Sequence, residues 1–258
     1  QNVDPTRYTE MVKRAYTGAR AGDPDMIIVA GSLAPTGGLP GGQAMNDVAF
    51  LEAMYAAGLK GHFDAISIHN YGFGGSPEDK AWGSGILNFR RAEDIHAVMV
   101  AHGDGALPVW GTEFGWLLES AACAATWESS GFAWQQVTAA EQADYLRRAF
   151  AYADANWPWM GVMVVSNLDF NTIGWYAPCD PLCYFAVLNS DGSPRPAYTA
   201  LTQMAKRPRS WEVVRWGMAV SPGSLGSMQL ASDTYAFSRT VAVLNTGEEP
   251  FGWTATLG

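Results

Sequence analysis

Basic residues are in short supply. Lysine and arginine total 16 against 25 acidic residues, a net charge of −9, so there is no basic face to hold nucleic acid or an anionic membrane. Long hydrophobic runs are missing too: nothing approaches the roughly 18 uninterrupted apolar residues of a membrane helix. The opening "QNVDPTRY" has neither a basic n-region nor an apolar h-region, so no signal peptide is visible. Histidine and cysteine number only 4 and 3, with no second Cys or His pair at zinc-ligand spacing, which argues against a metal site. No Gly-rich phosphate fingerprint follows an apolar run, which argues against nucleotide binding. No cofactor is expected.

What is present fills a core. Apolar residues make up 48% of 258 and charged ones 16%, enough for one large α/β domain or two smaller ones and too apolar for disorder. Tryptophan is the excess, at 11 residues. Trp82, Trp116, Trp127, Trp134 and Trp175 all fall in apparent loops. Any one of them could be core packing, but together they suggest flat platforms for sugar rings. "CDPLC", Cys179 to Cys183, reads either as a short disulfide loop of an exported protein or as two free thiols. His96 and His102 are six apart on a predicted helix, share no face, and read as packing or surface histidines.

Hydrophobic periodicity then gives the order of elements. A first helix is N-capped by Asp4, opened by Pro5 and striped with Tyr8, Met11, Val12, Ala15 and Ala19. An apolar strand is predicted at residues 26–31, a helix near Asn46 to Ala57, a strand at 64–71 and a helix near Arg90 to His102. The strand of "LPVWGTEFGW" follows, then a helix opened by the capping box Thr138 and Glu141, a strand at 159–170 and a last helix near Pro196 to Lys206. Apolar strands alternating with amphipathic helices predict a parallel α/β sheet, either doubly wound or a (β/α) barrel. From about Trp211 the texture turns to short alternating runs, "MAVSPGSLGSMQL", "SRTVAVLNTG" and "FGWTATLG", which predict antiparallel strands. The boundary falls near Arg207 to Arg209, dividing residues 1–207 from 208–258.

The long, aromatic-rich loops follow the strands, where either architecture places its site. Three strand ends bring polar groups there: His69-Asn70-Tyr71, Thr112-Glu113 and Ser166-Asn167-Leu168-Asp169. Glu113 is a carboxylate set among aromatics, costly unless paired or used. A salt bridge to a helix is the bland alternative to a catalytic role.

"PVWGTEFGW", "DAISIHNYG" and "YFAVLNSDGSPRPAYTAL" resemble the later half of clan A glycoside hydrolases, with family thirty-nine (β-xylosidases, α-iduronidases and exopolysaccharide hydrolases) nearest in pattern. The similarity covers about residues 5 to 205, and Thr-Glu-Phe-Gly-Trp at a strand end is its most specific part. The resemblance implies a (β/α)8 TIM barrel of which this chain supplies about strands five to eight, and a retaining mechanism. It implies Glu113 as nucleophile, with Tyr71 hydrogen-bonding it and keeping it ionised, and His69 lining the pocket. Trp116 and Trp175 are placed as sugar platforms by loop position. Asn167 and Asp169 either contact sugar hydroxyls or cap their own loop.

The sequence departs from that pattern in one respect. The family's acid/base glutamate lies in an Asn-Glu-Pro motif, and no Asn-Glu dipeptide occurs here. The expected chain is therefore a fragment that pairs with the other half of its barrel or with a second copy. Residues 208–258 resemble the start of an Ig-like, BACON-type carbohydrate module, a partial β-sandwich. An extracellular or cell-surface location is expected. Two rival readings stand beside the hydrolase: a non-catalytic carbohydrate-binding remnant, and a structural half-barrel that dimerises.

Overall fold

The computed structural model describes residues 3–83 and 85–205 and, beyond them, the backbone of two short strands. The chain separates into two compact units, Gln1–Met204 and Ala205–Gly258.

The first unit opens with α1 (Pro5–Gly22), capped as expected by the Asp4 carboxylate, which accepts from the Arg7 N–H. Then come β1 (Val29–Leu33), α2 (Asp47–Ala56), β2 (Ala65–His69), α3 (Arg91–Ala101) and β3 (Val109–Phe114). Beyond β3 lie β4 (Leu117–Leu118), α4 (Ala124–Ser130), β5 (Gln136–Val137), α5 (Ala139–Asn156), β6 (Met160–Val165) and α6 (Pro196–Gln203). Both halves of the Thr138–Glu141 capping box are formed at the start of α5. The strands form one parallel sheet in the order β1-β2-β3-β6, with β4 and β5 a separate small pair.

Side-chain alternation, interrupted by register shifts in β1 and β3, sets how this sheet packs. Ala30, Ile66, Ile68, Val109 and Phe114 point to one face. There they join Leu51 and Met54 of α2, Ile95 and Met99 of α3 and Leu146 of α5 in a single core. The other face carries Ser32, Ser67 and Thr112, whose hydroxyls touch across three strands at 2.6, 2.6 and 3.2 Å. Val164 on that face is 46% exposed. A parallel sheet is normally covered on both faces, and here the described helices cover one.

The predicted first strand is displaced. Met26 and Ile27 are exposed rather than in the sheet, because the Ile28 N–H goes to the Asp64 carboxylate at 2.7 Å and the ladder begins only at Val29. The predicted stripe on α1 is also imperfect: Val12 and Thr9 are buried, whereas Met11 faces solvent.

In the second unit, β7 (Met218–Ser221) and β8 (Ala242–Asn245) pair antiparallel. They fall in two of the three segments expected to be strands. The third, residues 251–258, lies outside the described residues, as does the BACON-type sandwich.

One carboxylate ties several elements of the first unit together. Glu93 on α3 accepts from Arg90, Lys80, the Tyr152 hydroxyl and the Trp157 indole N–H, at 2.7 to 3.2 Å. Burial pushes its pKa up, but the Arg90, Trp157 and Lys80 bonds outweigh this and bring it from 4.5 down to about 2. A depressed carboxylate contributes stability that is present above the unfolded value and lost as pH falls through the folded one. The melting temperature should therefore fall as pH is lowered from 4.5 toward 2, and Glu93→Gln should make that slope shallower. Identical slopes in the two proteins would contradict this role.

Candidate functional site

β3, like β1, departs from strict side-chain alternation. Its register against β6 shifts between Gly111 and Phe114, and its neighbour β2 shifts between Ile68 and His69. Such an irregularity re-aims a side chain. Thr112 and Glu113 both leave the core, Phe114 returns to it, and Glu113 stands level with His69 on the neighbouring strand.

Three side chains meet the carboxylate or its partner. The Tyr71 hydroxyl donates to Glu113 Oε2 at 2.7 Å, and His69 Nδ1 lies 3.4 Å from the same oxygen. Ser166 Oγ, at the end of β6, is 3.0 Å from the Tyr71 oxygen. Burial pushes the Tyr71 pKa well above the usual phenol range; the Ser166 hydroxyl counters in part, and the Glu113 carboxylate adds to the rise. The phenol is thus held as a donor. The Tyr71 ring rests on Phe185 at 4.9 Å. Buried Arg195 fixes the segment carrying Phe185 by donating to the carbonyls of Cys183, Tyr184 and Ala186 and to Asn189 Oδ1.

Ser166 and Phe185 are the functional neighbours that the sequence reading did not assign. Ser166 had a signal, since it ends a strand beside Asn167. Phe185 had none, because only the tertiary fold brings it under Tyr71.

Other expected site residues are placed differently. Trp116 is not a platform: it is fully buried, packs with Phe89, Phe114 and Tyr145, and donates its indole N–H to the Gly75 carbonyl. Its ring fills the space that a side chain at position 72 would need, so Gly72 is required there. Trp127 is buried as well, with its N–H on the Cys179 carbonyl. Asn167 is 5% exposed; its amide N–H donates to the Leu182 carbonyl and braces the loop, while its buried Oδ1 accepts from no protein group among the described residues. Asp169 accepts from the Asn171 backbone and side chain and from Thr172, which is the capping alternative. Trp175 is 81% exposed and free to stack.

The cysteines pair at long range. Cys123 is bonded to Cys179 and Cys183 is free, so "CDPLC" is not a disulfide loop. Cys183 sits in a one-turn helix, Pro181–Tyr184, and its thiol turns to the Phe170 carbonyl. The bond spans 56 residues, joining the start of α4 to the loop after β6. A link of that length stabilises by about 4 kcal/mol in the chain-entropy account. Among the described residues no group of three His, Cys, Asp or Glu is arranged to hold a metal ion.

No protein-family model matches the chain, and no curated protein does. Solved structures do. A family 39 glycoside hydrolase from the gut symbiont Bacteroides cellulosilyticus WH2 aligns with a TM-score of 0.54 at 23% identity over 77% of this chain. A glucosidase from Croceicoccus marinus aligns with a TM-score of 0.53 at 16% identity, also over 77%. The chain spans 38% and 35% of the two enzymes. Most of this chain therefore shares its fold with part of known glycoside hydrolases.

The burial of Trp116 makes a stability prediction. Trp116→Ala leaves a cavity beside Phe89 and Phe114 and should cost about 3–5 kcal/mol in denaturant unfolding. A loss under about 1 kcal/mol would mean the ring is not part of the core.

Proposed function

We propose that this chain carries the nucleophile of a retaining glycoside hydrolase, with its four parallel strands serving as strands five to eight of a (β/α)8 barrel. The observation that carries this reading is the Tyr71–Glu113 bond of 2.7 Å at adjoining strand ends, in a fold shared with part of a family 39 enzyme. Glu113 attacks the anomeric carbon, the glycosidic oxygen leaves with a proton from an acid, and water then hydrolyses the glycosyl-enzyme ester. Tyr71 fixes the carboxylate and donates to it, and His69 lines the same pocket.

Retention needs a second carboxyl about 5–5.5 Å from the first. In this reading it comes from the remaining barrel half, as another stretch of polypeptide or a second copy. That half also covers the hydroxyl-bearing face of the sheet and its edge strands β1 and β6. The substrate is an oligosaccharide or polysaccharide. The Cys123–Cys179 bond supports an extracellular or cell-surface location, where disulfides persist.

With the barrel complete, Glu113→Ala should lower turnover of 4-nitrophenyl glycosides by about a thousandfold or more. Added azide should restore part of it as the glycosyl azide, because a small anion fits where the carboxylate was. Tyr71→Phe should lose less, on the order of tenfold to a hundredfold, since one hydrogen-bond donor goes and the nucleophile stays. Undiminished hydrolysis in Glu113→Ala would end the nucleophile assignment.

A further inference from the structure

Three aromatic rings stack outside both hydrophobic cores. Trp134 lies 5.5 Å from Phe73 at 12° and 5.3 Å from Trp82 at 22°, yet remains 46% exposed. Trp82 in turn packs flat on the backbone of Gly74 and Gly75, leaving no space for a side chain at either position. Phe73 sits at φ 54°, a left-handed conformation that a bulky residue adopts only when its surroundings impose it.

Both loops that carry these rings are clamped to the chain just after Glu113. On the Phe73 side, the Gly72 N–H donates to the Gly115 carbonyl at 3.1 Å and the Trp116 indole to the Gly75 carbonyl at 2.7 Å. On the Trp134 side, Leu117 and Leu118 of β4 pair with Gln136 and Val137 of β5, and the Glu119 N–H reaches the Val137 carbonyl at 2.9 Å. The stack is therefore held at a fixed place relative to the carboxylate. Phe73 is two residues from Tyr71, a backbone path of at most about 7 Å.

We propose that the exposed part of Trp134, backed by Phe73 and Trp82, is a sugar-stacking subsite that holds a pyranose of the glycan other than the one Glu113 attacks. This rests on the glycoside-hydrolase reading for the identity of the occupant. A preorganised indole face offers apolar area to the C–H face of a sugar and leaves its hydroxyls in water, at little cost in side-chain entropy. The strained Phe73 backbone and the two backing glycines are what keep that face rigid.

The test is calorimetric binding of xylohexaose, cellohexaose and laminarihexaose to the full protein, with Glu113→Gln introduced so that nothing is cleaved. At least one hexasaccharide should bind. Trp134→Ala should raise its Kd about fivefold, and Trp134→Phe, which keeps a flat ring, should stay within about twofold. Should the alanine variant fold poorly, tryptophan emission decides, because the change caused by the bound hexasaccharide should be at least halved in Trp134→Phe. An unchanged Kd in Trp134→Ala, an emission change undiminished in Trp134→Phe, or binding of none of the three glycans would overturn the subsite. The measurement uses no turnover, so it can fail while the nucleophile stands, and the nucleophile can fail while it holds.

Discussion

A strand that alternates its side chains cannot present two consecutive residues to the same side, and β3 does so at Thr112 and Glu113. The register break between Gly111 and Phe114 makes this possible. It returns Phe114 to the core and leaves Glu113 at the rim, beside His69 and under the Tyr71 hydroxyl. Without the break the carboxylate would enter an apolar core, where an unpaired charge is prohibitive. The rest of the site is arranged about that one displacement.

The segment after it works as a spine. Gly115 and Trp116 hold the loop after β2, β4 holds the stretch that carries Trp134, and Trp116 fills the space between them. Gln142 of α5 donates to the Trp116 carbonyl, fastening the spine to a helix. The Cys123–Cys179 bond then joins the start of α4 to the loop after β6. Loops that would otherwise move independently are thus referred to a single strand end, which is the rigidity that a positioned carboxylate requires.

Local features were legible in the sequence because their causes are local. The Asp4 cap, the Thr138–Glu141 box and the alternation of apolar strand with amphipathic helix each depend on residues within a turn or two of one another. The strand-end run Thr-Glu-Phe-Gly-Trp likewise pointed to Glu113. What the sequence hid is set by tertiary contacts. Trp116 and Trp127 look like loop tryptophans until the loop is seen to fold over them, and the partner of Cys179 lies 56 residues away rather than four. Asn167 and Asp169 carry polar side chains suited to a sugar, but nearby backbone groups reach them first.

The central claim is that Glu113 forms a covalent bond to the sugar. A 2-deoxy-2-fluoro glycoside with a good leaving group, incubated with the barrel-complete protein, traps such an ester because fluorine slows its hydrolysis. Peptide mass spectrometry should then find the added sugar mass on the peptide containing Glu113, with activity lost in step. Label on any other carboxylate, or a protein that keeps turning over substrate with no label at all, would contradict the account.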